Sequence, residues 1–411
     1  MKLHRILFLT LGVFLGCDDE SENLPEPEFI TVFSLTVEPG YSFKADNWVM
    51  VHDKNGVLLD AEQIATAGTV KFETTEPVPD GKIGITIFRY DTAGTIDSYS
   101  FGSYLSVPTK QEWLWRKSTT PPQVNQGASL GTFSATYTIP TPLRMDLFGN
   151  STTLGSINQT GNTKSYQATI YEKNRNFLLT VASDGNPRYK FFENVKSGDY
   201  FQITFEDMAE YDQVLDISFP SASNPYVTVS ALDGDGKSLY WTYYNAFNLP
   251  PFGPSVSLTN LKIGYLERFE KYHTNIQIVT PNFGFGYEKV GTAPSAISFP
   301  DHSPYQLINK TLTNFSYSSE IPFSLRSSNF KDDSLPDKNI WWVCYAPQGA
   351  DKVTDLPDAF VEMYPFINFE NFKHLGTSFQ SSTKSYMDFI DAAGSGILFN
   401  GEFETTTISV R

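Results

Sequence analysis

The sequence predicts an all-β protein, and three observations carry that prediction. Aromatic residues make up 15% of the 411, with 33 Phe and 22 Tyr, and they are interleaved with Ser, Thr, Asn and Gly; such a mixture suits pleated, half-buried strands and turns. Apolar residues alternate in short runs closed by Gly, Pro, Asn and Asp, the pattern of strands joined by tight turns. Charged residues are 18% against 40% hydrophobic, so the chain has enough apolar surface to fold and is not a disordered one.

Taken in order, residues 1–16 hold Lys2 and Arg5, then the apolar run Ile6 to Leu15. This run is too short to span a bilayer and reads as an export signal. Residues 17–28 begin at Cys17, continue through Asp18, Asp19, Glu20 and Glu22, and include Pro25 and Pro27; they read as an acidic, extended tether. Residues 29–116 are predicted to form an immunoglobulin-like β-sandwich. Phe29, Phe33, Leu35 and Val37 fall on one alternating face, and Asn55-Gly56 between two apolar runs marks a hairpin. Ile83, Ile85 and Ile87 alternate again, and Trp113 to Trp115 ends the unit. Residues 117–131, with Pro121-Pro122 and little apolar content, are the expected linker.

Residues 132–411 are expected to be a larger antiparallel β-rich region, either one large domain or two smaller sandwiches. Strands are predicted at Phe133 to Ile139, Tyr166 to Tyr171, Asn176 to Ala182, Tyr200 to Phe205, Val227 to Leu232, Leu239 to Tyr244, Asn275 to Val279, Thr311 to Tyr317, Ile340 to Tyr345 and Glu402 to Val410. Two short helices are expected, at Pro357 to Met363, where Pro stands at a tolerated first position, and at Thr383 to Ala392, after a Ser/Thr cap and before Gly394.

Charge and cysteine usage narrow the partners. The net charge is −16, from 46 acidic and 30 basic residues, and no basic cluster offers a footprint for a nucleic-acid backbone. There are two cysteines, Cys17 and Cys344. With Cys17 reserved for another role, Cys344 in the apolar run Ile340 to Tyr345 is expected to be a buried, unreactive thiol.

Chemistry-bearing motifs are sparse. His4, His52, His273, His302 and His374 are never spaced as a helical zinc pair, and neither a nucleophile elbow nor a phosphate-binding loop is expected. Asp233-Gly234-Asp235-Gly236-Lys237 has acidic spacing on a Gly-rich turn, yet Lys237 and Tyr244 stand where an EF-hand needs oxygen ligands; a polar hairpin turn is expected. Asp351, Asp355 and Asp358 form a looser acidic set. No cofactor, metal or catalytic residue is assigned. The better lead is aromatic: Tyr240, Trp241, Tyr243 and Tyr244 lie on one strand, with Trp241 and Tyr243 on one face and Tyr240 and Tyr244 on the other. Whichever face is outward offers flat rings for stacking on a sugar or at an interface, whereas inward rings fill a core. The pairs Trp113/Trp115 and Trp341/Trp342 pose the same alternative.

Phe14-Leu15-Gly16-Cys17 resembles a bacterial lipobox, with Phe14 where Leu is usual. The acidic string after Cys17 is similar to the export signal of surface lipoproteins in Bacteroidetes-type bacteria. Trp48 to Asp60 resembles the small β-sandwich modules that stand behind the anchor in such envelope lipoproteins, and Asp91-Thr92-Ala93 and Asp333-Ser334-Leu335 look like their O-glycosylation acceptors. The resemblance implies an outer-membrane lipoprotein anchored through lipid on Cys17, facing either the cell exterior or the periplasm. The expected function is a ligand- or glycan-binding module, with an envelope protein as an alternative partner. A structural spacer or adhesion protein is the second reading, and a glycan-directed hydrolase the third. If Cys17 carries the anchor, Cys17→Ala should move the protein from the membrane to the soluble fraction, and added protease should digest the wild-type protein on intact cells. Protection until lysis would overturn surface display.

Overall fold

The computed structural model describes residues 28–92, 96–117, 127–138, 142–149, 157–183, 187–219, 224–233, 238–245, 260–349, 355–395 and 401–411. The described chain is all-β, with two short α-helices, Asp358–Met363 and Tyr386–Ser395. Both fall within three residues of the predicted segments. In the second, Ser385 and Asp388 close the helix start reciprocally: Ser385 N donates to the Asp388 carboxylate at 2.7 Å and Asp388 N to Ser385 Oγ at 3.2 Å.

The frame of the molecule is one twelve-stranded sheet. Its strands run in the order Ser238–Asn245, Asn224–Leu232, Lys271–Val279, Gly284–Gly291, Phe403–Val410, Phe372–Ser382, Leu325–Asp332, Lys338–Ala346, Asp97–Pro108, Lys82–Asp91, Asp46–His52 and Leu58–Gln63. All neighbours are antiparallel except Lys338–Ala346 beside Asp97–Pro108. At that parallel seam Trp342 lies opposite Phe101, their rings stacked at 4.1 Å and 4°. Trp342 Nε1 donates to Ser103 Oγ at 2.9 Å, and Ser103 Oγ shares a 2.8 Å hydrogen bond with Thr86 Oγ1. Trp342 is fully buried, so its N–H needs this partner inside the core.

The seam has a direct bearing on the first unit. Strands Ile30–Val37, Gly68–Thr74 and Gln111–Trp115 form a three-stranded sheet that packs Phe33, Leu35, Phe72, Trp113 and Trp115 against Val49, Val51, Ile83 and Ile85 of the large sheet. Two facing layers are therefore present over residues 29–116, but one of them runs on through the seam into strands from the last quarter of the chain. The helix Tyr386–Ser395 closes the same core, its Tyr386 hydroxyl donating to the Leu105 carbonyl at 2.6 Å. Gly394 sits so close to the indole of Trp113 that a Cβ there would fall 2.3 Å from Cδ1.

The opposite face of the large sheet is covered along its length. Near the seam the cover is Phe360, Tyr364, Ile367, Leu312 and Phe315. Asp46 ties that cover down: its buried carboxylate accepts from Tyr364 OH at 2.5 Å, Trp48 Nε1 at 3.1 Å, Gln63 Nε2 at 2.8 Å and Asn47 N at 2.8 Å. Farther along, Leu215, Ile217, Leu261 and Ile263, on the paired strands Gln213–Ser218 and Asn260–Tyr265, pack with Ile276, Ile278, Phe285 and Ile408. Between the two sequence regions that build the large sheet, two four-stranded sheets spanning Ser129–Glu210 enclose a separate core of Phe133, Tyr137, Tyr166, Phe177 and Phe192.

Several expectations need correction. Phe29 is 55% exposed and precedes its strand, because a bulge between Thr31 and Phe33 shifts the alternation. Thr311 to Tyr317 is not one strand: the chain turns at Thr311 to Asn314 between Tyr305–Lys310 and Phe315–Ser319, where the Asn309 side chain accepts from Thr311 N at 3.0 Å. For Trp113 and Trp115 the alternative left open by the sequence is decided in favour of the core, where both rings are buried. Removing the seam indole should open a large dry cavity, so Trp342→Ala is expected to lower the unfolding free energy by about 4 kcal/mol in urea denaturation; a loss under ~1 kcal/mol would show that the seam is not where the frame is held.

Candidate functional site

Where the two sheet faces differ, a candidate site emerges. The face bearing Val49, Val51 and Ile85 is covered near the seam, but at Lys271–Val279, Gly284–Gly291, Phe403–Val410 and Phe372–Ser382 its residues are half-buried or exposed. Register fixes which residues those are. Gln277 pairs with Gly286 and Gly286 with Thr407; Val279 pairs with Gly284, Gly284 with Ser409, and Ser409 with Ser378. The intervening residues Ile276, Ile278, Phe285 and Ile408 are buried on the other side. A two-residue period thus sends Ile276, Ile278, Phe285 and Ile408 into one core and leaves amides, hydroxyls and glycines, together with Val279, on the opposite surface.

The result is a trough of about 450 Å³. Its floor is Gly284 and Gly286 beside Thr407, Ser409, Ser378 and Gly376. Nothing taller than a hydroxyl stands there, and a Cβ built at Gly286 would meet only Thr407, at 3.4 Å. Asn275, Gln277 and Val279 form one wall, and Asn329 and Leu375 the other. Val279 and Leu375 are 45% and 40% exposed, so the walls also offer apolar contact. Ser378 Oγ and Ser409 Oγ share a hydrogen bond at 2.7 Å, as do Ser382 Oγ and Thr405 Oγ1 at 2.7 Å. These cross-strand pairs hold the hydroxyl row in place on rigid elements.

Charge in the trough is sparse. Among the described lining residues Glu288 and Arg411 carry the charged side chains, and Glu288 Oε1 lies 2.8 Å from His273 Nε2. Cross-strand register sets Ser230 opposite His273. A serine, a histidine and a glutamate thus occupy neighbouring strands, but Ser230 is buried and no hydrogen bond joins it to the imidazole, so the geometry is not that of an activated nucleophile. Among the described residues no group of three or more His, Cys, Asp or Glu side chains converges as a metal-ligand set.

The sequence-derived candidates distribute as follows. Cys17 and the residues around it lie outside the described residues, as do residues 234–237 of the acidic turn and Asp351 of the looser set. The strand holding Tyr240, Trp241, Tyr243 and Tyr244 is described, but those four side chains are not. Its register is informative all the same. Tyr240 and Tyr244 pair with Ala231 and Val227, members of the buried row, whereas Trp241 and Tyr243 pair with Ser230 and Thr228. Those two pair on with His273 and Asn275, the row that leads into the trough. Trp342 is buried and Trp341 half-buried, its indole N–H donating to the Asn339 side chain.

Residues 127–131 do spell Gly-Ala-Ser-Leu-Gly, against the expectation that no such string is present. Ser129 begins a strand rather than standing on a strand-to-helix turn, and its Oγ accepts from Gly131 N at 3.4 Å, so the elbow geometry of a serine hydrolase is missing. Cys344 is buried, as expected, and burial pushes its thiol up to about 12, which keeps it protonated and inert.

The trough residues went unrecognised in the sequence because Gly284–Gly291, Phe372–Ser382 and Leu325–Asp332 carry weak strand signals. One cue existed: Thr405, Thr407 and Ser409 alternate against Ile408 and Val410, an outward hydroxyl row. Compared with known families and with curated proteins, the chain matches no family model and no curated protein. Among the described residues no helix is long and apolar enough to cross a membrane.

Two further histidines couple the fold to pH. Burial lowers the pKa of His52, whose Nε2 meets the Asp355 carbonyl at 2.8 Å. Burial, with Lys310 adding to it, lowers that of His374 from 6.5 to about 4; its Nε2 donates to Thr377 Oγ1 at 2.8 Å, and Thr377 donates onward to Ser328. Both rings stay neutral in the fold, whereas the unfolded chain takes up protons below 6.5. Their contribution is therefore intact above that pH and is lost as pH falls toward the folded values. His374→Gln should flatten the dependence of Tm on pH between about 6.5 and 5, above the carboxylate range; an unchanged slope would remove His374 as a source.

Proposed function

We propose that this protein is a lipid-anchored envelope module that binds a glycan in the trough and performs no chemistry on it. The trough itself carries the reading: amides, hydroxyls and bare glycine backbone are displayed together on the rigid strands of a large sheet, where they hold position without reorganising. Sugar hydroxyls donate and accept at once, as do the Asn275, Gln277 and Asn329 amides and the Thr407 and Ser409 hydroxyls. Val279 and Leu375 suit the apolar faces of sugar rings, and the rows holding Trp241 and Tyr243 extend toward the same region. The export-signal pattern at Ile6 to Cys17 and the acidic tether supply the anchor and its reach. A spacer or adhesion role remains the second reading; it is favoured by the length of the continuous sheet, which would need no ligand.

Full-length protein carrying Cys17→Ala, screened on a glycan array, should retain at least one glycan. Gly286→Phe should abolish retention by filling the floor while leaving the melting temperature close to the parent, since an aromatic suits an outward strand position. Undiminished retention by a folded Gly286→Phe protein would move the site away from the trough, and no retention by the parent would favour the spacer.

A further inference from the structure

We infer that the ligand of the trough is an uncharged oligosaccharide lying lengthwise along strands Gly284–Gly291 and Phe403–Val410. This inference rests on the glycan-binding reading above and adds the chemical class and the direction of the bound chain.

Charge gives the class. The lining contains one carboxylate, Glu288, and one guanidinium, Arg411. Glu288 is already engaged by His273 at 2.8 Å. Beyond this pair, Lys271 is met by Glu402 at 3.0 Å, so it is not a free cation waiting at the end of the trough. No cluster of Arg or Lys faces the floor among the described residues, and anion recognition on a protein surface normally depends on one. The chain as a whole carries −16, a field that opposes the approach of uronate or sulfate groups. The remaining polar lining is neutral, made of amides and hydroxyls that include Asn275, Gln277 and Asn329 and Thr407, Ser409 and Ser378. Each can both donate and accept, which fits hydroxyl groups.

Shape gives the direction. The floor follows the strand from Gly284 through Gly286 to the Glu288 side chain, about 14 Å at the usual strand rise, and is bare over its two glycines. Across the strands it is only three wide, about 10 Å between the outer backbones, and amide walls stand on both sides. The absence of Cβ atoms at Gly284 and Gly286 lets a ring lie against the backbone. A linear chain placed lengthwise meets the hydroxyl row of Thr407 and Ser409 in succession, whereas one placed across would run into the wall at Asn275 and Gln277.

The test is titration calorimetry of the full chain carrying Cys17→Ala with two probe series of matched length: neutral hexose oligomers and uronate oligomers. Neutral oligomers should bind with affinity rising over the first few sugar units and then levelling. Their affinity should be unchanged across ~0.05 to ~0.5 M salt, because no ion pair is screened. Uronate oligomers should bind at least about tenfold more weakly, and Glu288→Lys should move the uronate-to-neutral affinity ratio by about tenfold toward uronate. Equal or tighter uronate binding with a steep salt dependence, or a ratio unmoved by Glu288→Lys, would overturn the uncharged class while leaving a glycan site standing. Failure of both series to bind would overturn this inference and the glycan reading together.

Discussion

The stacked pair of Trp342 on Phe101, with the indole N–H held by Ser103, is the contact on which the architecture depends. It sits at the parallel junction of the large sheet, where a strand from residues 338–346 meets one from 97–108. A parallel pairing cannot be made by a tight turn and has to be stabilised by what packs on it. Here more than 200 residues lie between the partners, so closing the loop costs entropy that local contacts cannot repay. A buried, stacked and hydrogen-bonded indole supplies both apolar burial and a fixed register. A slip of one residue would aim Trp342 at the opposite face and take its indole N–H away from Ser103.

From that junction follows the asymmetry that makes a site. One face of the sheet is covered from end to end by two hydrophobic clusters. The other is covered near the seam by the three-stranded sheet and the helix Tyr386–Ser395. These covers come from residues 30–115 and 386–395, and they reach only the strands beside the seam. The farther strands therefore keep a polar outer row, and the glycines of Gly284–Gly291 deepen that row into a trough. Residues such as Gly286 and Thr407 add little to core stability. Their positions are held by Phe285 and Ile408, which alternate with them and are buried underneath.

Legibility in the sequence followed the strength of local signals. The hairpin at Asn55-Gly56 was readable because Asp53 and Gly56 build the turn from nearby atoms alone: the Asp53 side chain accepts from Asn55 N and Val57 N, and Gly56 takes a positive φ of 85°. Both helices were readable from cap and proline positions. Leu325–Asp332 was not: Arg326, Ser327, Ser328 and Asn329 show no apolar alternation, and Arg326 is nonetheless buried, its guanidinium 4.7 Å over the ring of Phe315. Gly284–Gly291 was missed for the opposite reason, since glycine weakens a strand signal where a flat floor requires it. The aromatic strand at Tyr240 to Tyr244 was found, and register separated its two rows, Trp241 and Tyr243 from Tyr240 and Tyr244.

By itself the sequence determined the fold class, the short helices, the burial of Cys344 and the poverty of basic charge. Each of these depends on composition or on residues a few positions apart, where propensity, capping and charge act directly. Only the tertiary structure decided that the first strands and the last ones share a single sheet, and which of its faces stays uncovered. Those outcomes depend on pairings across hundreds of residues, such as Phe101 with Trp342 and Gly286 with Thr407. In such pairings each partner's local sequence is compatible with many neighbours, and the buried packing around them selects one.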